Sequence, residues 1–268
     1  MKKTLFAISL YCLSLSIQPV WAIDAAALFT KGQQFENEQR WSEAFSMYSE
    51  IIKYEPNNAL AHYRLGTISE KLGAIDSAVR SYQEALRLDP NLSDARKALE
   101  GYYVNQGVML RRNNQLDDAV RMFQQAITLN PSSANAHFEL GQVFEQRGQT
   151  NEALAEYQEA IKVDPDKSAA HARLAAIYTG QRQYENAARE YQEVLRLNPQ
   201  DPAAFHGLGV AQNDLGQKDQ AIASLQQAVR FYLIAGQRDK AQPAYDLQKK
   251  LMAEKGAPPS PVIPPRKK

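Results

Sequence analysis

Five prolines, Pro56, Pro90, Pro131, Pro165 and Pro199, follow one another at intervals of 34, 41, 34 and 34 in the numbering. Proline cannot continue a helix and disfavours the helical conformation in the residue before it, so each marks the end of an element. A stop that returns at this fixed interval has the period of a helix-turn-helix repeat whose copies stack on one another. With each proline at the thirty-second place, six copies span residues 25–58, 59–92, 100–133, 134–167, 168–201 and 202–235.

The rest of the chain falls into that register. The eighth place holds Gly32, Gly66, Gly107, Gly141, Ala175 and Gly209. Glycine inside a helix costs about 1 kcal/mol relative to alanine, so its return calls for a compensating gain. The gain we expect is close approach of two helices, small residue against small residue. The twentieth place is alanine in every copy, and the twenty-fourth holds Tyr48, Tyr82, Phe123, Tyr157, Tyr191 and Leu225. A spacing of four puts alanine and large residue on one face of the second helix. The first helix stops where Gly73, Gly148 and Gly216 can take the left-handed conformation.

The segment "AHYRLGTISEKLGAIDSAVRSYQEALRLDP", residues 61–90, carries these features together. It resembles the tetratricopeptide repeat (TPR) family, departing with Ser69 where an aromatic is usual. The resemblance covers residues 25–235. It implies an all-α, right-handed solenoid of about six helix pairs, with no catalytic activity and no cofactor. It also implies a concave groove, lined by the first helices, that takes a protein or peptide segment. The family's groove places carry Phe29, Gln33, Tyr63, Arg64, Asn105, Arg112, Phe138, Glu139, Gln142, Arg173 and His206 here. Aromatic anchors beside arginines that fork onto a carboxylate suit an extended peptide. The family's two-carboxylate clamp is not expected, because its lysine, asparagine, asparagine, lysine and arginine places hold Phe29, Gln33, Arg64, Gly101 and Asn105 in that order.

Departures from the period are informative. "SDARKAL", residues 93–99, is inserted before the third copy. Seven residues are close to two helical turns, and Ser93 is a suitable N-cap, so an extended helix is expected rather than a loop. The sixth copy has Leu233 in place of its proline, so its second helix runs on to Gly236. Residues 238–255 then read as a capping helix, since a solenoid exposes an apolar end unless a terminal helix covers it. Tyr245, Leu247 and Leu251 either form that cover or meet a second subunit, which leaves self-association open.

Three of the four histidines, His62, His137 and His171, share the fourth place, where other copies have Leu28, Tyr103 and Phe205. Metal binding needs several ligands within about 2 Å of one ion, whereas helices of successive repeats lie about 8 to 10 Å apart. Single histidines so spaced do not converge, and we read them as packing residues. No P-loop, nucleophile elbow, zinc-protease histidine pair or complete dinucleotide fingerprint is present.

Residues 1–22 open with Lys2 and Lys3, continue through an apolar stretch from Leu5 to Ile17 and end in Ala22. This is the pattern of a secretory signal peptide. Its apolar stretch is well short of the roughly 20 residues that span a bilayer. Cleavage there removes Cys12, the single cysteine, and takes the formal charge from +1 to −1. A nearly neutral chain lacks the basic footprint of a nucleic-acid binder. No further stretch is long and apolar enough to span a membrane, and "GAPPSPVIPPRKK", residues 256–268, reads as a disordered proline-rich tail. The sequence therefore leads us to expect an exported bacterial scaffold of the periplasm or cell envelope. The alternatives are a structural subunit of a secretion, pilus or polysaccharide-export apparatus, or an accessory factor to a cell-wall enzyme.

Overall fold

The computed structural model describes residues 24–256; the expected signal peptide, and all of the expected tail but Gly256, lie outside the described residues. Among the described residues are thirteen α-helices and no strand. First helices of the pairs are α1 (Ala25–Asn37), α3 (Ala59–Lys71), α5 (Ser93–Arg112), α7 (Ala134–Gln146), α9 (Ser168–Gly180) and α11 (Pro202–Asp214). Second helices are α2 (Trp41–Tyr54), α4 (Ile75–Leu88), α6 (Leu116–Leu129), α8 (Thr150–Val163), α10 (Tyr184–Leu197) and α12 (Lys218–Ile234), followed by α13 (Arg238–Glu254). The chain divides into two compact units, residues 24–95 and 96–256, with the boundary in the first turn of α5. The seven inserted residues are the first two turns of α5.

Four of the first helices and all six second helices begin by different devices. Asp24, Asn58, Ser133 and Asp201 accept a backbone N–H through their side chains at the starts of α1, α3, α7 and α11. That satisfies one of the donors a helix N-terminus leaves unpaired. None of the six second helices has a side-chain cap, but every one carries an acidic residue in its first turn. A carboxylate there interacts favourably with the positive end of the helix dipole, by about 0.3 to 1 kcal/mol.

Between paired helices the chain turns on a residue with positive φ: 77° at Gly73, 72° at Gly148 and 76° at Gly216. The equivalent residues Gln39, Asn114 and Arg182 adopt φ of 57°, 60° and 59°. The left-handed region costs a residue with a Cβ roughly 1 to 2 kcal/mol, and asparagine tolerates it best. Arg182→Gly is therefore expected to stabilise its repeat by about 1 kcal/mol after allowing for glycine's greater freedom in the unfolded chain. Asn114→Gly is expected to gain less. Urea denaturation of the two variants beside the parent checks both the sign and the order.

The glycines at the eighth place meet the large side chain at the twenty-fourth place, a ring in four repeats and Leu225 in the sixth, and at Gly66 and Gly209 the backbone carbonyl of the expected small partner, Ala78 or Ala221, is close as well. A Cβ built on Gly66 would lie 2.6 Å from the Tyr82 ring, on Gly107 2.6 Å from Phe123, and on Gly141 2.7 Å from Tyr157. Glycine here makes room for the twenty-fourth side chain to lie flat between paired helices. Tyr48, Phe123 and Tyr157 are fully buried in this way. The fifth repeat tests the rule, because its eighth place is Ala175. There the Tyr191 ring lies instead against Gly207 of the following repeat.

At the end of the second unit α13 packs on α12. Ala241, Ala244 and Leu251 join Ala221, Leu225, Ala228 and Tyr232 in one core, with Leu247 packed against it. Tyr245 is also buried within the unit, so Tyr245 and Leu251 form part of that cover. Lys218 pairs with Glu254 at 2.7 Å, and Lys255 pairs with Asp219. Pro243 falls in the second turn of α13, at an exposed position. In the first repeat, Phe35 is covered by the Arg40 guanidinium, 4.4 Å from the ring centroid.

Candidate functional site

The candidate site lies on the first helices, and one pattern of three residues builds it. In the first, second and fourth repeats the tyrosine at the twenty-fourth place donates its hydroxyl to a glutamate at the twelfth: Tyr48 to Glu36, Tyr82 to Glu70 at 2.9 Å, Tyr157 to Glu145 at 2.7 Å. Burial first, and the adjacent carboxylate second, push these hydroxyls well above the usual tyrosine range, so they remain donors. In two of these repeats the same glutamate pairs with an arginine at the sixth place of the following repeat. Arg64 Nη1 is 3.4 Å from Glu36, and Arg173 Nη1 is 3.4 Å from Glu145.

The third repeat reverses the charges. Its twelfth place is Arg111, which donates to Glu139 of the fourth repeat at 3.0 Å. Arginine has no acceptor to offer a tyrosine hydroxyl, and the twenty-fourth place of that repeat is Phe123, which needs none. Nε of both Arg64 and Arg111 is buried without an acceptor.

In the second unit α5, α7 and α9 together border a depression of about 430 Å³, lined by Arg111, Gln142, Glu145, Gln146 and Arg173. Of the residues expected from sequence, Gln142 and Arg173 line it, and Glu139 borders it through Arg111. Arg112 is exposed but is not in the lining; its neighbour Arg111 is. Asn105 is exposed, and Phe138 packs at 5.6 Å from Tyr157 with Lys167 Nζ 5.3 Å from its ring. His206 is half-buried, which lowers its pKa and favours the neutral ring.

In the first unit Gln33 is exposed, while Phe29 is half-buried and meets Tyr48 edge-on at 5.3 Å. Tyr63 lies 6.0 Å from Tyr82, with the Arg64 guanidinium 5.8 Å from its ring. Glu145 and Gln146 are not among the residues expected from sequence, although the twelfth and thirteenth places of the fourth repeat point to them.

The shared histidine position is a tie as well as a packing place. His137 Nε2 faces the Pro131 carbonyl at 3.2 Å and His171 Nε2 the Pro165 carbonyl at 3.0 Å, in each case the proline that ends the preceding repeat. A carbonyl only accepts, so Nε2 carries a proton. The other ring nitrogen of each faces a glutamate on the second helix, Glu156 at 2.7 Å and Glu190 at 2.6 Å. His62 makes the carbonyl contact to Pro56 at 2.9 Å. These bonds tie the start of a repeat to the turn that ends the one before. Among the described residues no group of three or more histidine, cysteine, aspartate or glutamate side chains is placed to hold a metal, and no helix is long and apolar enough to cross a membrane.

Profiles of the tetratricopeptide repeat match residues 59–92, 104–170 and 203–232, and a further TPR repeat profile matches 177–216. Together they cover more than half of the chain. The chain belongs to the tetratricopeptide repeat family. Among curated TPR relatives, Hsp70-Hsp90 organizing protein 3 of Arabidopsis thaliana is 35% identical over 63 residues, 24% of this chain and 11% of that protein. The probable UDP-N-acetylglucosamine--peptide N-acetylglucosaminyltransferase SPINDLY of Eustoma exaltatum subsp. russellianum is 32% identical over 85 residues, 32% of this chain and 9% of that protein. The chain thus spans about a tenth of the length of either relative, and the likeness to SPINDLY runs through TPR repeats alone.

Among the solved structures that share the fold are YrrB and yeast Tom70. YrrB, described as a TPR protein with an unusual peptide-binding site, aligns with a TM-score of 0.50 and 19% identity over 78% of this chain and 97% of its own. Yeast Tom70 aligns with a TM-score of 0.52 and 18% identity over 80% of this chain and 44% of its own. TPR proteins mediate protein-protein interactions, and the family is generally non-catalytic.

Proposed function

We propose that this TPR protein is a non-catalytic adaptor that holds an extended segment of a partner protein against its first helices, in the cell envelope of a bacterium. The observation that carries the reading is the depression over α5, α7 and α9, where side chains from three consecutive first helices border one hollow. It is open and polar, which suits a peptide main chain better than a small apolar ligand. The envelope location rests on residues 1–22, whose charged start, apolar stretch and terminal Ala22 form a signal-peptide pattern.

A pull-down from a bacterial envelope fraction with the full chain tests the adaptor role, run beside a Gln142→Ala, Arg173→Ala variant and an exposed control, Lys162→Ala. The expected result is a partner retained by the parent and the control and lost by the double variant. Equal capture by all three would move binding away from this face. N-terminal sequencing of the exported protein is expected to begin at Ile23; a start at Met1 would overturn the export reading.

A further inference from the structure

Resting on that groove reading, we infer that the segment held over α5, α7 and α9 is extended and uncharged, and is read through amide and hydroxyl groups rather than through carboxylates. The arginines that border the depression are already matched within the chain. Arg111 donates to Glu139 at 3.0 Å, and Arg173 faces Glu145 at 3.4 Å. The second oxygen of Glu145 accepts the buried Tyr157 hydroxyl at 2.7 Å, which holds that carboxylate in place. Two cations and two anions therefore share the rim.

A peptide carboxylate that reaches either arginine arrives beside Glu139 or Glu145, and a peptide lysine or arginine arrives beside Arg111 or Arg173. Either charge meets its like, and like charges in contact oppose binding. The first unit repeats the arrangement, with Arg64 on Glu36 at 3.4 Å.

The groups left to recognise a ligand are Gln142 and Gln146. Both line the depression, and among the described residues neither has a side-chain hydrogen-bond partner. Each amide offers donors and an acceptor. One helical turn apart on α7, their Cβ atoms stand about 5 to 6 Å from each other. Alternate residues of an extended strand, on one side, recur at about 6.6 Å. The glutamine pair is thus in step with every second side chain, or every second peptide amide, of an extended segment. This face takes asparagine, glutamine, serine or threonine at alternate positions, and takes them without help from charge.

The test is selection of phage-displayed random twelve-residue peptides on the full-length protein, on Gln142→Ala, Gln146→Ala, and on Glu139→Gln, Glu145→Gln. The parent is expected to enrich uncharged polar residues at alternate positions and to show no enrichment of aspartate or glutamate. Synthetic copies of the selected peptides should bind with little dependence on salt, and about tenfold or more weaker to the glutamine-to-alanine variant. Freed of their internal partners, the two arginines of the glutamate-to-glutamine variant should enrich acidic peptides. Acidic peptides selected by the parent, with affinity lost on Arg173→Ala, would overturn this inference and leave the groove reading standing. Peptides indifferent to every substitution on this face, or no selection above background, would overturn the groove reading itself.

Discussion

Phe123→Ala is expected to lower the stability of α5, α6 and α7 by about 3 to 5 kcal/mol, the range for deleting a fully buried aromatic side chain. Phe123 has no exposed surface and sits in one core with Ala119, Leu140 and Val143, flanked by Val104, Val108 and Ile127. The space it leaves is walled on one side by Gly107, which has no side chain to swing in. Stability in a stacked repeat is a sum of unit and interface contributions, so the loss should be concentrated in this stretch. Hydrogen exchange is the measurement: amides of α5 to α7 should lose protection while those of α1 to α4 keep theirs. Loss spread evenly over all helices would show that the chain unfolds as one body. Phe123→Tyr restores the volume, yet it is expected to remain below the parent. By the equivalence of places its hydroxyl arrives at Arg111, where other repeats have an accepting glutamate.

Gly141→Val is expected to cost about 3 kcal/mol, at the upper end of overpacking penalties. A Cβ at Gly141 lies 2.7, 2.8 and 3.2 Å from three atoms of the Tyr157 ring. That ring is fully buried and its hydroxyl is held by Glu145, so it has no free direction in which to yield. The contrast that isolates the cause is Gly101→Ala in α5, where an added Cβ meets nothing within 4 Å. Alanine there should stabilise by about 1 kcal/mol from helix propensity alone. Denaturant midpoints of the two variants should therefore move in opposite directions. A shared direction would mean that the glycines at the eighth place act through backbone freedom and not through the ring.

Much of the fold is legible in the sequence because its determinants are local and recur. Each helix stop, from Gly73 to Pro90, depends on its own φ or on a missing N–H, and the same places return in repeat after repeat. The three turn residues that are not glycine, Gln39, Asn114 and Arg182, are less visible. Their left-handed φ is imposed by the repeat geometry, and at Gln39 and Arg182 it runs against the residue's own preference. The glycine at the eighth place is visible as an anomaly, but the nearest partner that requires it, the large side chain at the twenty-fourth place, is not. Periodicity shows which face a residue is on and does not show which side chain on the next helix fills the gap.

The site is the least legible part, for a related reason. Arg64, Glu139 and Arg173 stand at groove places and so point to a partner's residues, yet each pairs within the chain with a residue of the adjacent repeat. That pairing joins the twelfth place of one repeat to the sixth of the next, and it depends on the offset at which successive first helices lie side by side. By itself, then, the sequence determined an all-α repeat with its stops, its turns and the face that looks outward, since these follow from backbone chemistry within a few residues. Only the tertiary structure decided that Arg64, Arg111 and Arg173 are each paired from within and that Gln142 and Gln146 are left open. Charge pairing between repeats is set by distances of 3.0 to 3.4 Å across helices, and those distances are not encoded in a period along the chain.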